Sequence, residues 1–370
     1  MQPRRQPPGR GIDFRLAGTG IAALLLVTAS GVIAFRDQPF RTPVTVAAEE
    51  PKPVETATAR PNGPVRSEPA GKGGPAIIKV NPDEPGTTGT VVIRDPSTLG
   101  QNLRVAHLPD MALVEESADG PLPIRAADGR RPFDVYARPW SGKRGARIAI
   151  VIGGLGVSQT GSQKAVERLP AEVTLAFASG GNSLGRWMQA ARQRGHEVVM
   201  QIPLEPFDYP EVNPGRNTLT TDASGDENVS RLEWALGRIT NYTGVMNYMG
   251  ARFTADPDAM GAMMAELGRR GLAYYDDGSS SRSVAADLAA RNGVPYAAGD
   301  GAIDAVRDRG DILKKLDELE RVARAQGFAV GTGSAFDVTI DTVASWVSEA
   351  KKRGIEIVPI SAVAADPERG

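Results

Sequence analysis

The chain has 370 residues, and its 43 lysine and arginine residues are balanced by 44 aspartate and glutamate residues. This balance argues against a nucleic-acid partner, which would require a basic surface. The chain contains no cysteine, which excludes a disulfide framework, a thiol nucleophile and a zinc site with thiolate ligands.

The first 35 residues predict a membrane anchor. Residues 1–15 contain four arginines, and residues 16–35 form an uncharged run of twenty residues. A helix of that length spans about 30 Å, the thickness of a bilayer's hydrocarbon core. Because the arginines precede the run, we expect a cytoplasmic basic tail, a single-pass signal anchor in a bacterial inner membrane, and a periplasmic C-terminal domain. The alternative is a signal peptide cleaved after Val27-Thr28-Ala29.

The next segment is rich in proline. Sixteen of the chain's 28 prolines lie between residues 36 and 145. Residues 36–107 contain too few apolar side chains to form a core, so we expect a disordered linker. Residues 108–146 contain more apolar and aromatic side chains, together with Asp-Gly and proline turns. We expect them to form an extended arm that packs on the following domain.

Residues 147–365 alternate strand and helix patterns, which is typical of an α/β domain with a parallel sheet. Short apolar runs rich in β-branched residues predict eight strands, at residues 147–152, 173–178, 197–202, 244–247, 272–275, 294–297, 328–331 and 356–359.

Helix-capping residues separate several of these strands. Asn182 is predicted to cap a helix that stops at Gly195, and Asp256-Pro257 to open one that stops at Gly271. Two further helices are predicted at residues 308–326 and 341–353. About eight strand–helix units in this length favour a distorted or irregular (β/α) barrel. A doubly wound open sheet is the alternative.

In such a barrel, chemistry takes place at the carboxyl ends of the strands. The residues predicted there, or in the loop after the sixth strand, are Gly153, Gly154, Ser179, Gln201, Asn247, Tyr248, Asp276, Asp277, Asp300, Asp304 and Thr332. Glu205 and Arg252 lie in the loops that follow two of these strands.

The glycines after the first strand raise the possibility of a dinucleotide site. That motif requires G-x-G-x-x-G, but here Gly154 and Gly156 are followed by Gln159 in place of the third glycine. No acidic residue ends the second strand to hold a ribose. We therefore expect no nucleotide partner, and we interpret the glycines as elements of a tight turn.

The chain has only two histidines, His107 and His196. His107 lies upstream of the domain, and His196 is predicted at the start of the third strand, at the end opposite the predicted site. A hydrolytic zinc site and a Ser-His-Asp triad both need histidine at the site, so we expect neither.

The remaining polar residues at the strand ends would suit a ligand with many hydroxyl groups. We predict Asp276 and Asp304 as catalytic carboxylates. The predicted substrate-binding residues are Gln201, Glu205, Asn247, Tyr248, Arg252, Asp277 and Asp300. We expect no metal or other cofactor, the alternative being a divalent cation held by several of the carboxylates.

Several segments, taken in order, resemble the divergent polysaccharide deacetylases, which belong to the NodB-like barrel deacetylases. They are "IAIVIGGLG", "VTLAFA", "GHEVVMQIPLEP", "GVMNYMGARFT", "GLAYYDDGSS" and "GIEIVPISAV". The resemblance implies a distorted (β/α) barrel and a cell-envelope glycan as ligand.

The same resemblance implies a damaged catalytic centre. Relatives have two aspartates, a presumed base and a metal ligand, where this chain has Gly153 and Gly154. Their histidines are replaced here by Gln201, Tyr248 and Thr332. We therefore expect a glycan-binding pseudoenzyme. The alternative is an active glycan N- or O-deacetylase with a rebuilt carboxylate site.

Overall fold

A parallel sheet with helices between its strands forms the centre of residues 104–369, the part of the chain that the computed structural model describes. The strands are β1 (Val114–Ser117), β2 (Gly120–Pro123), β3 (Arg147–Leu155), β4 (Thr174–Ala178), β5 (Val198–Leu204), β6 (Gly244–Met249), β7 (Ala273–Asp276), β8 (Tyr296–Ala298), β9 (Gly301–Ala302), β10 (Phe328–Ser334) and β11 (Glu356–Val358). The α-helices are α1 (Pro132–Tyr136), α2 (Gln159–Arg168), α3 (Leu184–Gln193), α4 (Gly225–Leu236), α5 (Pro257–Arg270), α6 (Ala285–Arg291), α7 (Arg309–Gln326) and α8 (Asp337–Lys352).

The main sheet has nine parallel strands in the order β8-β7-β6-β5-β4-β3-β10-β9, and β11 also pairs with β3. β11 pairs with the first residues of β3, whereas β4 pairs with its last residues. The sheet therefore curls into a half-barrel with β8 and β9 as its end strands. The predicted α/β class with a curled parallel sheet is confirmed, and the barrel is open on one side.

The two faces of the sheet pack against different partners. Ile148, Ile150 and Ile152 point outward into a core that they share with the helices. Ala149 and Val151 alternate with them and point inward, into a separate apolar cluster. Helices α2 to α8 therefore pack on the outer face alone, and only Phe133 of the short α1 reaches the inner cluster, which distinguishes this fold from the doubly wound alternative.

The predicted helix ends are only partly confirmed. Asp256 and Asp308 do cap α5 and α7, each accepting hydrogen bonds from two backbone N–H groups. Asn182 is not a cap, because Ser183 holds that position with a left-handed backbone and no side-chain hydrogen bond. Helix α8 begins at Asp337, four residues earlier than predicted, and places that carboxylate at its positive end.

The arm closes one end of the half-barrel. β1 and β2 form an antiparallel hairpin, and α1 follows it. The N–H of Phe133 donates to the carbonyl of Gly271, and the N–H of Arg138 to the buried carboxylate of Glu197. Both acceptors precede strands. The amino ends of the strands, which we call the closed end, are therefore covered, and their carboxyl ends, which we call the mouth, lie opposite.

The described chain also begins on the closed end. The carbonyl of Ala106 accepts hydrogen bonds from Asn241 at 2.8 Å and from Arg192 at 3.3 Å. The chain thus contacts the domain before Leu108, within the segment predicted as a linker. The rest of that linker and the predicted anchor at residues 16–35 lie outside the described residues. Between residues 104 and 369, no helix is both long and apolar enough to cross a membrane.

Candidate functional site at the mouth of the half-barrel

The alternation of each strand decides which residues face the interior at the mouth. Val151, Val199, Met246, Tyr275 and Val330 belong to the inner cluster. Two positions further along each strand come the residues that share its inner face at the mouth: Gly153, Gln201, Tyr248, Asp277 and Thr332. Sequence reasoning placed all five at the strand ends, and the half-barrel brings them to one surface.

Gln201 occupies the space that a side chain at residue 153 would need. An ideal Cβ on Gly153 would lie 2.6 Å from Nε2 of Gln201. The Oε1 of the same carboxamide accepts a hydrogen bond from the N–H of Gly154 at 2.7 Å. Gly154 has a φ of +77° at a shift in register between β3 and β4. Gly154 therefore allows a bulge in β3, and Gly153 leaves the space that the side chain of Gln201 fills.

Asn247 holds the backbone of the neighbouring strand. Its side chain is buried, its Oδ1 accepts a hydrogen bond from the N–H of Asp277, and its Nδ2 donates to the carbonyl of Met249. Asp277 is partly exposed, and one of its carboxylate oxygens accepts from the N–H of Ser279. Asn247 thus positions Asp277, whose second oxygen remains available to a ligand.

Glu205 and Arg252 form an ion pair beside the mouth. Glu205 is 1% exposed, and its Oε1 lies 3.0 Å from a guanidinium nitrogen of Arg252. The other oxygen of Glu205 accepts hydrogen bonds from the N–H and the hydroxyl of Thr221. The same guanidinium is 3.6 Å from Asp222. Glu205 and Arg252, both predicted to bind the ligand, therefore form contacts that hold the loops after β5 and β6 in place.

Asp276 and Asp304, the predicted catalytic carboxylates, are separated by the structure. Asp276 follows Tyr274 on the outer face of β7, where its oxygens accept from Ser283 at 2.6 Å and from the N–H of Gly278 at 2.9 Å. Burial raises the pKa of Asp276 above its usual value. Asp304 accepts from the N–H of Ser334 and from the hydroxyl of Thr339, linking β10 to α8.

Asp300 lies away from the mouth. Its carboxylate accepts a hydrogen bond from the N–H of Val330 at 2.7 Å, and its own N–H donates to the carbonyl of Val330. Val330 is the third residue of β10, four residues before the strand ends at Ser334. The mouth therefore brings together Gln201, Tyr248 and Asp277 from the predicted binding set, but not Asp300.

The donors at the mouth do not fit a catalytic metal of the kind that the family resemblance implies. Gly153 and Gly154 offer no side chain, and the carboxamide oxygen of Gln201 already accepts from a backbone N–H. Within residues 104–369, no three histidine, cysteine, aspartate or glutamate side chains are grouped to hold a metal ion. Tyr248 and Thr332 add neutral hydroxyl groups.

The histidines are where the sequence placed them. His196 is buried at the closed end, and its Nδ1 lies 2.9 Å from the carbonyl of Val173. Burial lowers the pKa of His196 below its usual value. His107 lies among the first described residues, near the docked carbonyl of Ala106. Neither histidine approaches the mouth.

Sequence reasoning missed two side chains at the mouth. Ser334 lies two residues after Thr332 on β10 and pairs in register with Gly153. Phe207, in the loop after β5, is 55% exposed. The segment "EPFDYP" is too polar to form part of a buried core, so core packing does not explain its phenylalanine. An exposed aromatic residue of this kind could have indicated a contact surface.

The fold and the mouth define an α/β protein with a curled parallel half-barrel sheet of the deacetylase type. More specifically, the chain belongs to the divergent polysaccharide deacetylase family, whose sequence pattern matches residues 150–364. The crystal structure of an uncharacterized protein from Agrobacterium tumefaciens C58 is 53% identical in sequence. The match covers 66% of this chain and 99% of that one, with a TM-score of 0.65.

Two curated relatives are more distant. An uncharacterized Haemophilus influenzae protein is 24% identical over 188 residues, 51% of this chain and 66% of its own length. The uncharacterized protein YibQ of Escherichia coli K12 is 23% identical over 194 residues, 52% of this chain and 60% of its own length. The chain thus spans less than two thirds of either relative.

Proposed function

We propose that this protein binds a cell-envelope glycan at the mouth of the half-barrel without hydrolysing it. The observation that carries the proposal is the position of Gln201, whose carboxamide fills the space beside Gly153 and hydrogen-bonds to Gly154. A neutral amide with a free N–H donor thus stands where relatives place a base and a metal ligand.

The other mouth residues offer the contacts that a sugar uses. Tyr248 is 44% exposed and presents an aromatic ring with a hydroxyl group. One oxygen of Asp277 can accept a hydrogen bond. The hydroxyl of Ser334 can donate or accept, and that of Thr332, which donates to the carbonyl of Gly301, can accept. This combination of an aromatic surface with uncharged and acidic hydrogen-bonding groups suits a polyhydroxylated chain.

The carboxylates that a rebuilt hydrolase would require are already used in the scaffold. Asp276 holds the loop before α6, and Asp304 holds the start of α8. Each accepts two hydrogen bonds from the protein. This arrangement favours binding over an active deacetylase.

The function is tested with the purified full-length chain and acetylated chitooligosaccharides or peptidoglycan. We expect binding without acetate release, with or without added divalent cations. Tyr248→Ala and Asp277→Ala should each weaken binding by about tenfold, the usual effect of truncating a central contact. Phe328→Ala is the matched control, because Phe328 is an aromatic residue 38% exposed at the opposite end of the sheet.

Two results would contradict the proposal. Equal losses of affinity in Tyr248→Ala and Phe328→Ala would show that the glycan does not bind at the mouth. Metal-dependent acetate release that disappears in Asp276→Ala would establish the hydrolase with a rebuilt carboxylate site instead.

We also propose that the glycan-binding domain lies outside the cytoplasm, held to the inner membrane by residues 16–35. The support is the uncharged run itself and the four arginines that precede it. A reporter enzyme that works only in the periplasm, fused after Gly370, should be active. Activity of a cytoplasm-specific reporter at the same position would reverse the orientation.

A further inference from the structure

The closed end of the half-barrel, opposite the mouth, contains an open cleft of about 590 Å³. It lies where β11 and β4 diverge, because each pairs with a different half of β3. One wall is the segment 138–146, and the other consists of the end of α8 and the start of β11. Its volume is within the range of small-ligand sites, roughly 300–1,000 Å³.

The carboxylates of this cleft are already partnered. Glu172 lies 2.9 Å from the ammonium of Lys351, and this contact helps to hold the pKa of Glu172 below its usual value although burial opposes it. Glu356 accepts a hydrogen bond from the hydroxyl of Ser141 at 2.5 Å. Glu172 is therefore neutralised by a lysine, whereas Glu356 keeps its negative charge and is held by a hydroxyl group.

Two cations on the wall, Lys143 and Arg144, have no such partners in the described part of the chain. Both are exposed, and neither side chain forms an ion pair with any of residues 104–369. Arg138 donates to the carbonyls of Gly195 and Pro139 and lies 3.9 Å from Glu172. The cleft thus carries an excess of positive charge.

The remaining lining is apolar. Pro139, Trp140 and Ala146 are partly exposed and contribute hydrocarbon surface, with the buried Ile355 and Ile357 behind them. The ring of Trp140 is fixed by the guanidinium of Arg147, 5.4 Å from its centroid. A bare inorganic anion would leave this surface without contacts, whereas an apolar ligand would leave Lys143 and Arg144 unpaired.

We propose that the cleft binds a small ligand with a phosphate or carboxylate group attached to an apolar ring or chain. The anion would pair with Lys143 and Arg144, and the apolar part would rest on Trp140 and Pro139. The site is separate from the proposed glycan-binding mouth and does not depend on it.

Calorimetric titration of the full chain with phenyl phosphate tests this site. We expect binding that is at least about tenfold tighter than that of inorganic phosphate or of phenol, because each contains only half of the recognised chemistry. The double change Lys143→Glu with Arg144→Glu should weaken binding at least about tenfold. Both side chains are exposed, so the fold should be unaffected.

The matched control is Lys314→Glu with Lys315→Glu, the same charge change on exposed positions of α7, 80% and 57% exposed. Unchanged affinity in the cleft variant, or an equal loss in the control, would overturn the proposal, as would no binding of phenyl phosphate. If dihexanoyl phosphatidylglycerol competes with phenyl phosphate and dihexanoyl phosphatidylcholine does not, the anionic group of the ligand is that of a lipid headgroup. Failure of both lipids to displace bound phenyl phosphate would identify a soluble ligand.

Discussion

Replacing Arg270 with methionine is expected to lower the free energy of unfolding by about 3–5 kcal/mol. The guanidinium is 1% exposed and contacts three carboxylates, those of Glu266 at 2.5 Å, Glu233 at 2.6 Å and Glu115 at 2.8 Å. It also donates to the carbonyl of Pro123. Methionine would fill much of the volume but leave the acids without their shared cation.

The electrostatic origin of this loss can be separated from lost packing. Although burial opposes ionisation, Arg269 and Arg270 hold the pKa of Glu266 below its usual value. The stabilisation from that pair is present at neutral pH and lost as the pH falls and Glu266 takes up a proton. The difference between the wild type and Arg270→Met should therefore shrink in acid, whereas a packing loss would not.

Arg269→Met is the matched control, because Arg269 shares Glu266 but its side chain is 58% exposed. We expect it to cost less than about 1 kcal/mol. Urea denaturation followed by circular dichroism at several pH values gives both quantities. Equal destabilisation by the two variants at neutral pH would show that the buried position of Arg270 contributes nothing special.

This cluster illustrates what sequence patterns cannot predict. Arg270 and Glu115 are 155 positions apart, and local reasoning has no means of pairing them. The cluster joins the β1–β2 hairpin to α4 and α5, so it fixes the arm on the domain. Apolar runs did predict the eight long-range parallel strands, because a strand buried on both faces must be apolar throughout. The two-residue β9 is too short to leave such a pattern.

The site was predictable to the level of strand ends but not of strand faces. Asp276 and Asp277 are adjacent, yet one points outward to Ser283 and the other lies on the inner face at the mouth. A strand that is apolar on both faces gives no alternation from which to assign them. Asp277 lies two residues after Tyr275 and therefore shares its face of the strand. This spacing assigns Asp277 to the inner face only if Tyr275 is already known to point inward.

Gly153, near the end of β3, is the position of the second large expected effect, because Gln201 fills the space beside it. Gly153→Asp is expected to lower the free energy of unfolding by about 1–3 kcal/mol, the usual cost of overpacking. Its Cβ would lie 2.6 Å from Nε2 and 3.0 Å from both Cδ and Oε1 of Gln201. To make room, the carboxamide would have to give up its hydrogen bond with the N–H of Gly154.

Gly153→Ala separates steric crowding from charge, since it adds the same Cβ without a carboxylate. Adding Gln201→Ala to either variant removes the crowded atoms, so the paired changes should cost less than the sum of the single ones by about 0.5–3 kcal/mol. Purely additive costs in this double-mutant cycle, measured by urea denaturation, would mean that Gln201 does not occupy the seat beside Gly153.

The same variants test whether a carboxylate at residue 153 is enough for hydrolysis. Gly153→Asp places one acidic side chain at the mouth, but residue 154 remains glycine, and Tyr248 and Thr332 stay at the positions where the family resemblance implies histidine. We therefore expect no acetate release from Gly153→Asp, alone or with Gln201→His. Acetate release by Gly153→Asp alone would show that one carboxylate is enough for hydrolysis, and release only with Gln201→His would show that a carboxylate and an imidazole together are enough.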